Sequence, residues 1–364
     1  MKLLNEGFDH VEFVSRRIGT LAPTFERMGF QNVGSRENAQ EATRSVLYQQ
    51  GRIRILMTEP SSAEASSKSN AVKFLNAQDE GICVLALEVD NAAEWFQTSV
   101  ARGARPALEP QTFTTPQGKV VRAEVWTPGN VRYAFIQRET SDALDQPALF
   151  DGGLVAERLE SPSPLNLYRI DHLTNNVNIG EMSQWVEFYK KCFGFTVTRS
   201  FKISTGRTGL ISDVVESPCR RVKVPINEAS EPASQVQEFC NRMKGSGVQH
   251  LALETTGLID TLQTLRSRAF KFLKVPKSYY EQVPIRVPGV TEDLTQLEDL
   301  GILLDGETGY GKYLLQIFGE EILGPFFFEY IQRKGDPGFG EGNFKALFEA
   351  IERDQVRRGV LTSG

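Results

Sequence analysis

Apolar and polar positions follow the same order in the two halves of this 364-residue chain. In the first half, DHVEFVS at 9–15 has the pattern of a strand and precedes a helical stretch that ends in FERMGF. In the second half, DHLTNNV at 171–177 precedes the helical pattern WVEFYKKCFGF in the same way. Both halves are therefore predicted to begin as strand, helix, strand, which indicates an internal repeat.

The later part of each half repeats this arrangement. ICVLALEVD at 82–90 matches VQHLALETT at 248–256, and a helical pattern follows each of these apolar runs. Each half then closes on an aromatic-rich strand, VRYAFIQRE at 131–139 or FFFEYIQRK at 326–334. This order favours an α+β fold of curved mixed sheets over a doubly wound parallel sheet.

The segment between Glu139 and Arg169 lacks sustained periodicity and contains three prolines, so it is predicted to be a linker. Chain length also favours two hydrophobic cores, because a typical domain has roughly 150 residues. We therefore predict a first module at residues 1–150 and a second at residues 165–364.

Composition and charge exclude several classes of partner. A net charge of -5, from 46 acidic and 41 basic residues, gives no surplus for binding nucleic acid or an anionic membrane surface. Early polar residues in MKLLNEGFDHVEF argue against a secretory peptide, and no run of 18 apolar residues follows. We therefore expect a cytoplasmic protein. The four cysteines have no zinc-like spacing, so we expect reduced thiols.

Candidate chemistry is concentrated in the second half. Two of the chain's three histidines, His172 and His250, open strand-like runs there, and Glu329 interrupts an apolar strand. A strand histidine is more often an ordinary core residue, and Glu329 alone could face solvent or pair with Arg333. Taken together, two imidazoles and a carboxylate on one curved sheet form a face that binds Fe(II) and leaves three adjacent coordination positions open.

The first half lacks most of this set. Aligning the two LALE motifs places Val84 at the position of His250, and aligning the two IQR motifs places Ala134 at the position of Glu329. Only His10 remains, opposite the other histidine of the second half. The first module is therefore expected to be degenerate and metal-free.

The second half resembles the vicinal oxygen chelate superfamily and, within it, the 4-hydroxyphenylpyruvate dioxygenase family. The motifs that carry this resemblance are DHLTNNV, KVPINE, GVQHLAL, LLQIF, FFFEYIQR and GFGEGNFKALFEAIERDQ, whereas the first half matches only in outline. The resemblance implies two tandem domains of βαβββ repeats, whose curved sheets form open barrels. It also implies one Fe(2+) per chain and a homo-oligomer, either a dimer or a tetramer.

The implied reaction converts 4-hydroxyphenylpyruvate and O2 to homogentisate and CO2, a step of tyrosine catabolism. Its stages are oxidative decarboxylation, ring hydroxylation and migration of the side chain. The resemblance implies three metal ligands: His172, His250 and Glu329. It also implies five polar residues around the substrate: Ser212, Asn227, Gln235, Gln249 and Gln316. The remaining substrate contacts are Phe318, Phe339, Asn343 and Phe344.

The C-terminal sequence suggests a cover for this site. The glycines of GFGEGNF can act as a hinge, and the residues that follow have apolar positions at helical spacing. We therefore expect a C-terminal lid helix that excludes water from the reaction.

Three other functions compete with the dioxygenase. A 4-hydroxymandelate synthase would share the fold, the substrate and the iron site, but Asn227 and the phenylalanines at 318 and 344 fit the dioxygenase better. A ring-cleaving extradiol enzyme would need a further acid-base histidine, and all three histidines are already assigned. A metal-free binding protein of the same fold would not require the intact His172, His250 and Glu329 set.

Overall fold

The computed structural model describes residues 1–39, 41–61, 69–139, 148–151, 154–157, 165–205, 208–307, 311–345, 355–356 and 359. These residues form two curled sheets of eight strands with the same topology. In spatial order, the first sheet contains β2 (Gln31–Asn38), β3 (Thr43–Gln50), β4 (Ile53–Pro60), β1 (Leu3–Val14), β5 (Gly81–Val89), β8 (Arg132–Glu139), β7 (Gly118–Trp126) and β6 (Arg105–Thr115).

The second sheet repeats that order. It contains β12 (Thr196–Ser204), β13 (Gly209–Glu216), β14 (Lys223–Ala229), β11 (Leu167–Val177), β15 (Gly247–Thr255), β18 (Phe327–Lys334), β17 (Lys312–Phe318) and β16 (Leu303–Glu307). In each sheet the two central strands are antiparallel to each other, and each pairs in parallel with its outer neighbour. The predicted α+β fold of two repeated, curved mixed sheets is therefore confirmed.

Helices connect the strands and cover one face of each sheet. They are α1 (Ile18–Arg27), α2 (Asn70–Ala77), α3 (Ala92–Ala101), α4 (Met182–Phe188), α5 (Gln235–Met243), α6 (Leu258–Ser267), α7 (Lys277–Arg286) and α8 (Leu294–Leu300). A π-helical turn, Tyr189–Phe193, extends α4. No helix among the described residues is long and apolar enough to cross a membrane.

Alternation along the central strands separates the core from the candidate site. In β11, Leu173 and Val177 join the apolar core, whereas His172 and Thr174 lie on the opposite face of the strand. The main apolar cluster contains residues of both modules, including Phe13 of β1 and Phe326, whose ring centroids are 4.9 Å apart. The two sheets therefore share a continuous core.

The region predicted as a linker contains regular structure. Within it, β9 (Ala148–Asp151) pairs with β10 (Leu154–Ala156) in an antiparallel hairpin. Phe150 of this hairpin is buried and packs on His10, with ring centroids 4.8 Å apart. At the other end of the chain, residues 341–345 are helical, but most of the predicted lid helix lies outside the described residues.

Candidate metal centre and substrate pocket

Three neighbouring strands bring together the proposed metal ligands. His172 lies on β11, His250 on β15 and Glu329 on β18, and all three side chains are fully buried. Both His172 and Glu329 are register partners of Ala252 on the strand between them, and His250 lies two residues earlier on that strand. One ligand atom from each side chain lies within 4.8 Å of the others.

The three converging atoms lie close enough together to bind one metal ion. Glu329 Oε2 lies 3.4 Å from His172 Nε2 and 3.3 Å from His250 Nε2. Each of these buried atoms lacks a hydrogen-bond partner among the described residues. Leaving buried polar atoms without partners is costly, and a cation would bind all three at once. The donor set therefore fits a metal ion.

Burial and charge act in opposite directions on these groups. Burial by itself raises the pKa of Glu329, but the two facing histidines lower that pKa to about 2. Burial lowers the pKa of His250 below its ordinary value, despite the nearby carboxylate. Burial also opposes protonation of His172, but Glu329 and Asp171 raise its pKa. Glu329 is therefore ionised at neutral pH, and the two histidines differ because only His172 has a second carboxylate beside it.

Asp171 orients the first of these histidines. Its Oδ2 lies 2.8 Å from His172 Nδ1, which directs Nε2 toward the centre. Arg333 donates from Nε and Nη2 to the two oxygens of Asp171, both at 2.7 Å. The alternative considered from sequence, a pair between Arg333 and Glu329, is therefore wrong, because Arg333 binds Asp171 instead. His250 Nδ1 has Gln249 Oε1 at 3.1 Å.

Gln316 connects the carboxylate to the C-terminal segment. Its Nε2 donates to Glu329 Oε1 at 2.8 Å and to the Phe339 carbonyl at 3.1 Å. Asn343 Nδ2 donates to Gln316 Oε1 at 2.8 Å, and the Tyr279 hydroxyl lies 2.5 Å from Asn343 Oδ1. A line of hydrogen bonds therefore runs from the metal centre to α7.

Gly340 permits this close approach. It has a φ of 71°, and a Cβ atom at this position would lie 2.1 Å from Gln316 Oε1. A side chain here would therefore be strained and would collide with the amide.

The other predicted polar residues lie on neighbouring elements of the same module. Ser212 on β13 is the register partner of Asn227 on β14, and Gln235 begins α5. All three side chains are buried. Ser212 Oγ, Asn227 Oδ1 and Gln235 Oε1 lack hydrogen-bond partners among the described residues. These groups can bind the polar atoms of a ligand.

Aromatic side chains surround the centre. Phe318 is the register partner of Glu329, and its ring centroid lies 6.2 Å from that of His250. The ring of Phe339 lies 5.5 Å from that of His172. Phe344 shares an apolar cluster with Phe339. The structure therefore places two of the three predicted phenylalanines against the histidine ligands.

Comparisons with known proteins identify the family. Residues 3–125 match the family model for the N-terminal region of hydroxyphenylpyruvate dioxygenase, and residues 169–283 match the glyoxalase, bleomycin resistance protein and dioxygenase superfamily. A 4-hydroxyphenylpyruvate dioxygenase from Legionella pneumophila is 39% identical over 98% of this chain and 96% of that protein. The chain belongs to the 4-hydroxyphenylpyruvate dioxygenase family.

Other known proteins also match this chain over nearly its whole length. The 4-hydroxyphenylpyruvate dioxygenase of Pseudomonas aeruginosa is 36% identical over 98% of this chain and 96% of that protein. A Vibrio vulnificus protein named hemolysin VllY is 38% identical over 98% of this chain and 97% of that protein. A mutant 4-hydroxymandelate synthase from Streptomyces coelicolor has a TM-score of 0.78 with 22% identity, covering 96% of this chain and 98% of that one. That structural likeness shows the fold, which is the tandem vicinal oxygen chelate arrangement.

In this member of the 4-hydroxyphenylpyruvate dioxygenase family, the first module has counterparts of Asp171 and Arg333. It lacks counterparts of two of the three proposed metal ligands. His10 and Ala134 are both register partners of Ala86, as His172 and Glu329 are of Ala252. Asp9 contacts the His10 ring and binds Arg138 through both oxygens, at 2.7 Å.

Sequence reasoning did not identify three residues that support the candidate site: Asp171, Arg333 as the partner of Asp171, and Tyr279. The repeated DH and QR dipeptides were a signal for the aspartate-arginine pair. Tyr279 had no comparable signal, because its contact with Asn343 joins residues 64 positions apart.

Proposed function

We propose that this chain converts 4-hydroxyphenylpyruvate and O2 to homogentisate and CO2, as an enzyme of tyrosine and phenylalanine catabolism. Membership of the 4-hydroxyphenylpyruvate dioxygenase family along the whole chain supports this activity. The observation that carries it is the convergence of three buried donor atoms, from His172, His250 and Glu329, within the second module.

We further propose that the metal is Fe(2+), bound once per chain by those three residues. Two imidazoles and one carboxylate are the donor set of non-haem iron oxygenases, and they leave adjacent coordination positions open. When bound, the iron would supply the activation of dioxygen and hold the 2-oxo acid of the substrate.

The residues around the metal orient its ligands. The contact between His172 Nδ1 and Asp171 favours the tautomer in which Nε2 is free to bind a cation. Arg333 balances the charge of Asp171, so that aspartate stays ionised although it is buried. Gln316 holds one oxygen of Glu329 by a hydrogen bond and leaves the other facing the two histidines.

The polar residues would orient the substrate. Ser212, Asn227 and Gln235 offer hydroxyl and amide groups that can bind a phenol or a carboxylate without adding formal charge. Gln249 lies beside the second histidine ligand, at 3.1 Å. Phe318, Phe339 and Phe344 would pack against the aromatic ring and exclude water, with Asn343 holding the C-terminal segment in place.

The test is reconstitution of the full chain with Fe(2+) under nitrogen, followed by addition of 4-hydroxyphenylpyruvate and oxygen. We expect homogentisate, identified by chromatography and mass, and no product from Glu329→Gln. The matched control is His10→Ala, which removes the equivalent histidine of the first module and should retain turnover. Formation of 4-hydroxymandelate would assign the synthase activity instead. Absence of oxygen uptake with metal bound would favour a binding protein.

We also propose that the protein is a cytoplasmic homo-oligomer, either a dimer or a tetramer. Three of its four cysteines are buried thiols, and all four are free, which suits a reducing compartment. Val197 and Ile211, on the outer strands β12 and β13, are exposed apolar residues near a sheet edge that could pair with another subunit. Sedimentation equilibrium of the purified chain would give the number of subunits.

A further inference from the structure

The first module contains a cavity of about 450 Å³. Its lining comes from all eight strands of the first sheet and from α2, and it lies on the face of this sheet that corresponds to the metal-centre face of the second. This size is within the range of small-molecule sites, which is roughly 300–1,000 Å³.

Strand register relates this cavity to the candidate substrate pocket. Ser45 and Thr58 are register partners on β3 and β4, as Ser212 and Asn227 are on β13 and β14. The Ser45 and Thr58 hydroxyls lie 2.9 Å apart and line the cavity. The first module therefore has a polar wall at the same positions as the second, although it lacks counterparts of two proposed metal ligands.

Charged groups occupy two further positions of this cavity. Arg122 is the register partner of Ile136, and Gln316 is the register partner of Ile331, which is the equivalent position in the second module. By the same register, Glu124 stands at the position of Phe318. At these two positions, the first module therefore has an arginine and a glutamate where the second module has an amide and an aromatic side chain.

The described lining carries charges of both signs. The acidic residues are Glu12, Glu37, Glu41 and Glu124, and the basic residues are Arg36, Arg122 and Arg132. Four of these, Glu12, Glu124, Arg122 and Arg132, are buried. Ionised groups are rarely buried unless a partner or a ligand compensates for lost hydration.

The buried charges are unequally paired. Glu124 accepts from Arg122 through Oε1 at 2.6 Å and from Arg132 through Oε2 at 2.5 Å. Glu12 accepts from the Thr58 hydroxyl at 2.7 Å, but its other oxygen lies 3.7 Å from Arg122. Glu12 is therefore suited to a further cationic donor. Arg132 has five N–H donors and can bind a carboxylate besides Glu124.

We propose that the first module binds an α-amino acid with an apolar side chain in this cavity. The ammonium group lies beside Glu12, the carboxylate beside Arg132, and the side chain against Val14, Leu108 and Phe113, which also line the cavity. A zwitterion adds a partner to Glu12 and a second carboxylate to Arg132 at once, whereas a simple amine or a simple acid adds only one of these contacts. This assignment does not rest on the activity of the second module.

The test is a calorimetric titration of the metal-loaded full chain with L-phenylalanine, phenethylamine and 3-phenylpropanoate. The two analogues lack the carboxylate and the ammonium group, respectively. We expect one molecule of L-phenylalanine per chain and affinities about tenfold or more weaker for both analogues, which is the loss expected for one charge-assisted contact. Equal affinity for either analogue, or no binding of L-phenylalanine, would overturn the assignment.

Variants locate the binding in the first module. Glu12→Gln should weaken L-phenylalanine binding by about tenfold or more and leave turnover of the iron site unchanged. Leu108→Trp fills the cavity without removing a buried charge and should also prevent binding, so the test survives if Glu12→Gln folds poorly. Glu88→Gln changes an equally buried carboxylate of the same module outside the cavity lining, and it should bind normally. Unchanged binding in both cavity variants would refute the proposal.

Discussion

At the scale of single residues, the two modules differ by very little at the metal-centre positions. Each has an aspartate followed by a histidine, with the aspartate bound by an arginine two strands away. Only the second module adds His250 and Glu329, where the first has Val84 and Ala134. The shared framework alone should therefore not bind metal, and the site of the second module should require those two side chains as well.

Glu329→Gln tests the carboxylate with almost no change in shape. The amide has one weak acceptor oxygen and no charge, so metal affinity should fall by more than the roughly 10–100-fold typical for an outer hydrogen bond. Calorimetric titration with Fe(2+) under nitrogen measures this loss. His10→Ala should still bind one metal ion per chain, and loss of that ion in the variant would contradict the assignment.

Asp171→Asn and Asp9→Asn form a matched pair. Each change removes the charge facing a buried arginine, and such a loss costs about 3–5 kcal/mol in the free energy of unfolding. Only Asp171→Asn should also reduce metal affinity, by about 10–100-fold, because only Asp171 orients a ligand. Urea unfolding and metal titration separate the two effects. Equal metal affinity in both variants would exclude a positioning role for Asp171.

Asp9 also predicts a pH dependence of stability. Burial raises its pKa, but the charge of Arg138 and the contact with His10 hold the pKa well below its usual range, and Arg54 lies 3.7 Å away. A lowered pKa adds stability above the unfolded value of about 3.9, and this stability is lost as the pH falls through the folded value. The difference in free energy of unfolding between wild type and Asp9→Asn should therefore be constant near pH 7 and shrink below about pH 4. Urea titrations across that range measure it, and a constant difference would be inconsistent with the ion pair.

At the scale of secondary structure, the long strands were predictable and the short connections were not. Strand alternation and the LALE and IQR repeats located β5, β8, β15 and β18, because each contains a long, mostly apolar run of buried residues. α7 was missed because it contains Pro284 and lacks a clear apolar stripe. The hairpin of β9 and β10 was read as linker because its few residues show too little periodicity.

Sequence patterns likewise predicted only part of the candidate site. Its ligands could be predicted because an isolated carboxylate on an apolar strand needs a compensating partner. The contacts that support them depend on distant elements, such as Tyr279 of α7 against Asn343, and periodicity carries no information about such contacts.

Tyr279→Phe tests whether α7 positions the site. Its hydroxyl lies 2.8 Å from the Leu304 amide nitrogen and 2.5 Å from Asn343 Oδ1, so its removal should loosen Gln316. We expect turnover to fall by about tenfold, which corresponds to one hydrogen bond of roughly 1.4 kcal/mol, with metal affinity unchanged. Tyr280→Phe is the control, since that hydroxyl has no hydrogen-bond partner among the described residues. Equal turnover in the two variants would argue against the role of α7.

At the scale of the whole molecule, several contacts join the modules into one body. The hydroxyls of Tyr133 and Tyr189 lie 3.0 Å apart in the buried interface, and Gln78 donates to the Ser246 carbonyl at 3.0 Å. These contacts accompany the apolar cluster that both modules share. Separating the modules would expose that cluster and leave buried polar groups without partners, so neither module should unfold alone.

This coupling predicts that metal bound in the second module protects the first. A ligand that binds only the folded state adds RT ln(1 + [L]/Kd), or about 2.7 kcal/mol at one hundred times Kd. If the modules unfold together, amide protons of β5 should gain protection as large as those of β15 when Fe(2+) is added, although β5 contains none of the proposed ligands. Hydrogen exchange followed by mass spectrometry measures both strands, and Glu329→Gln should show no gain in either. Protection confined to β15, or two separate thermal transitions, would show that the shared core does not couple them.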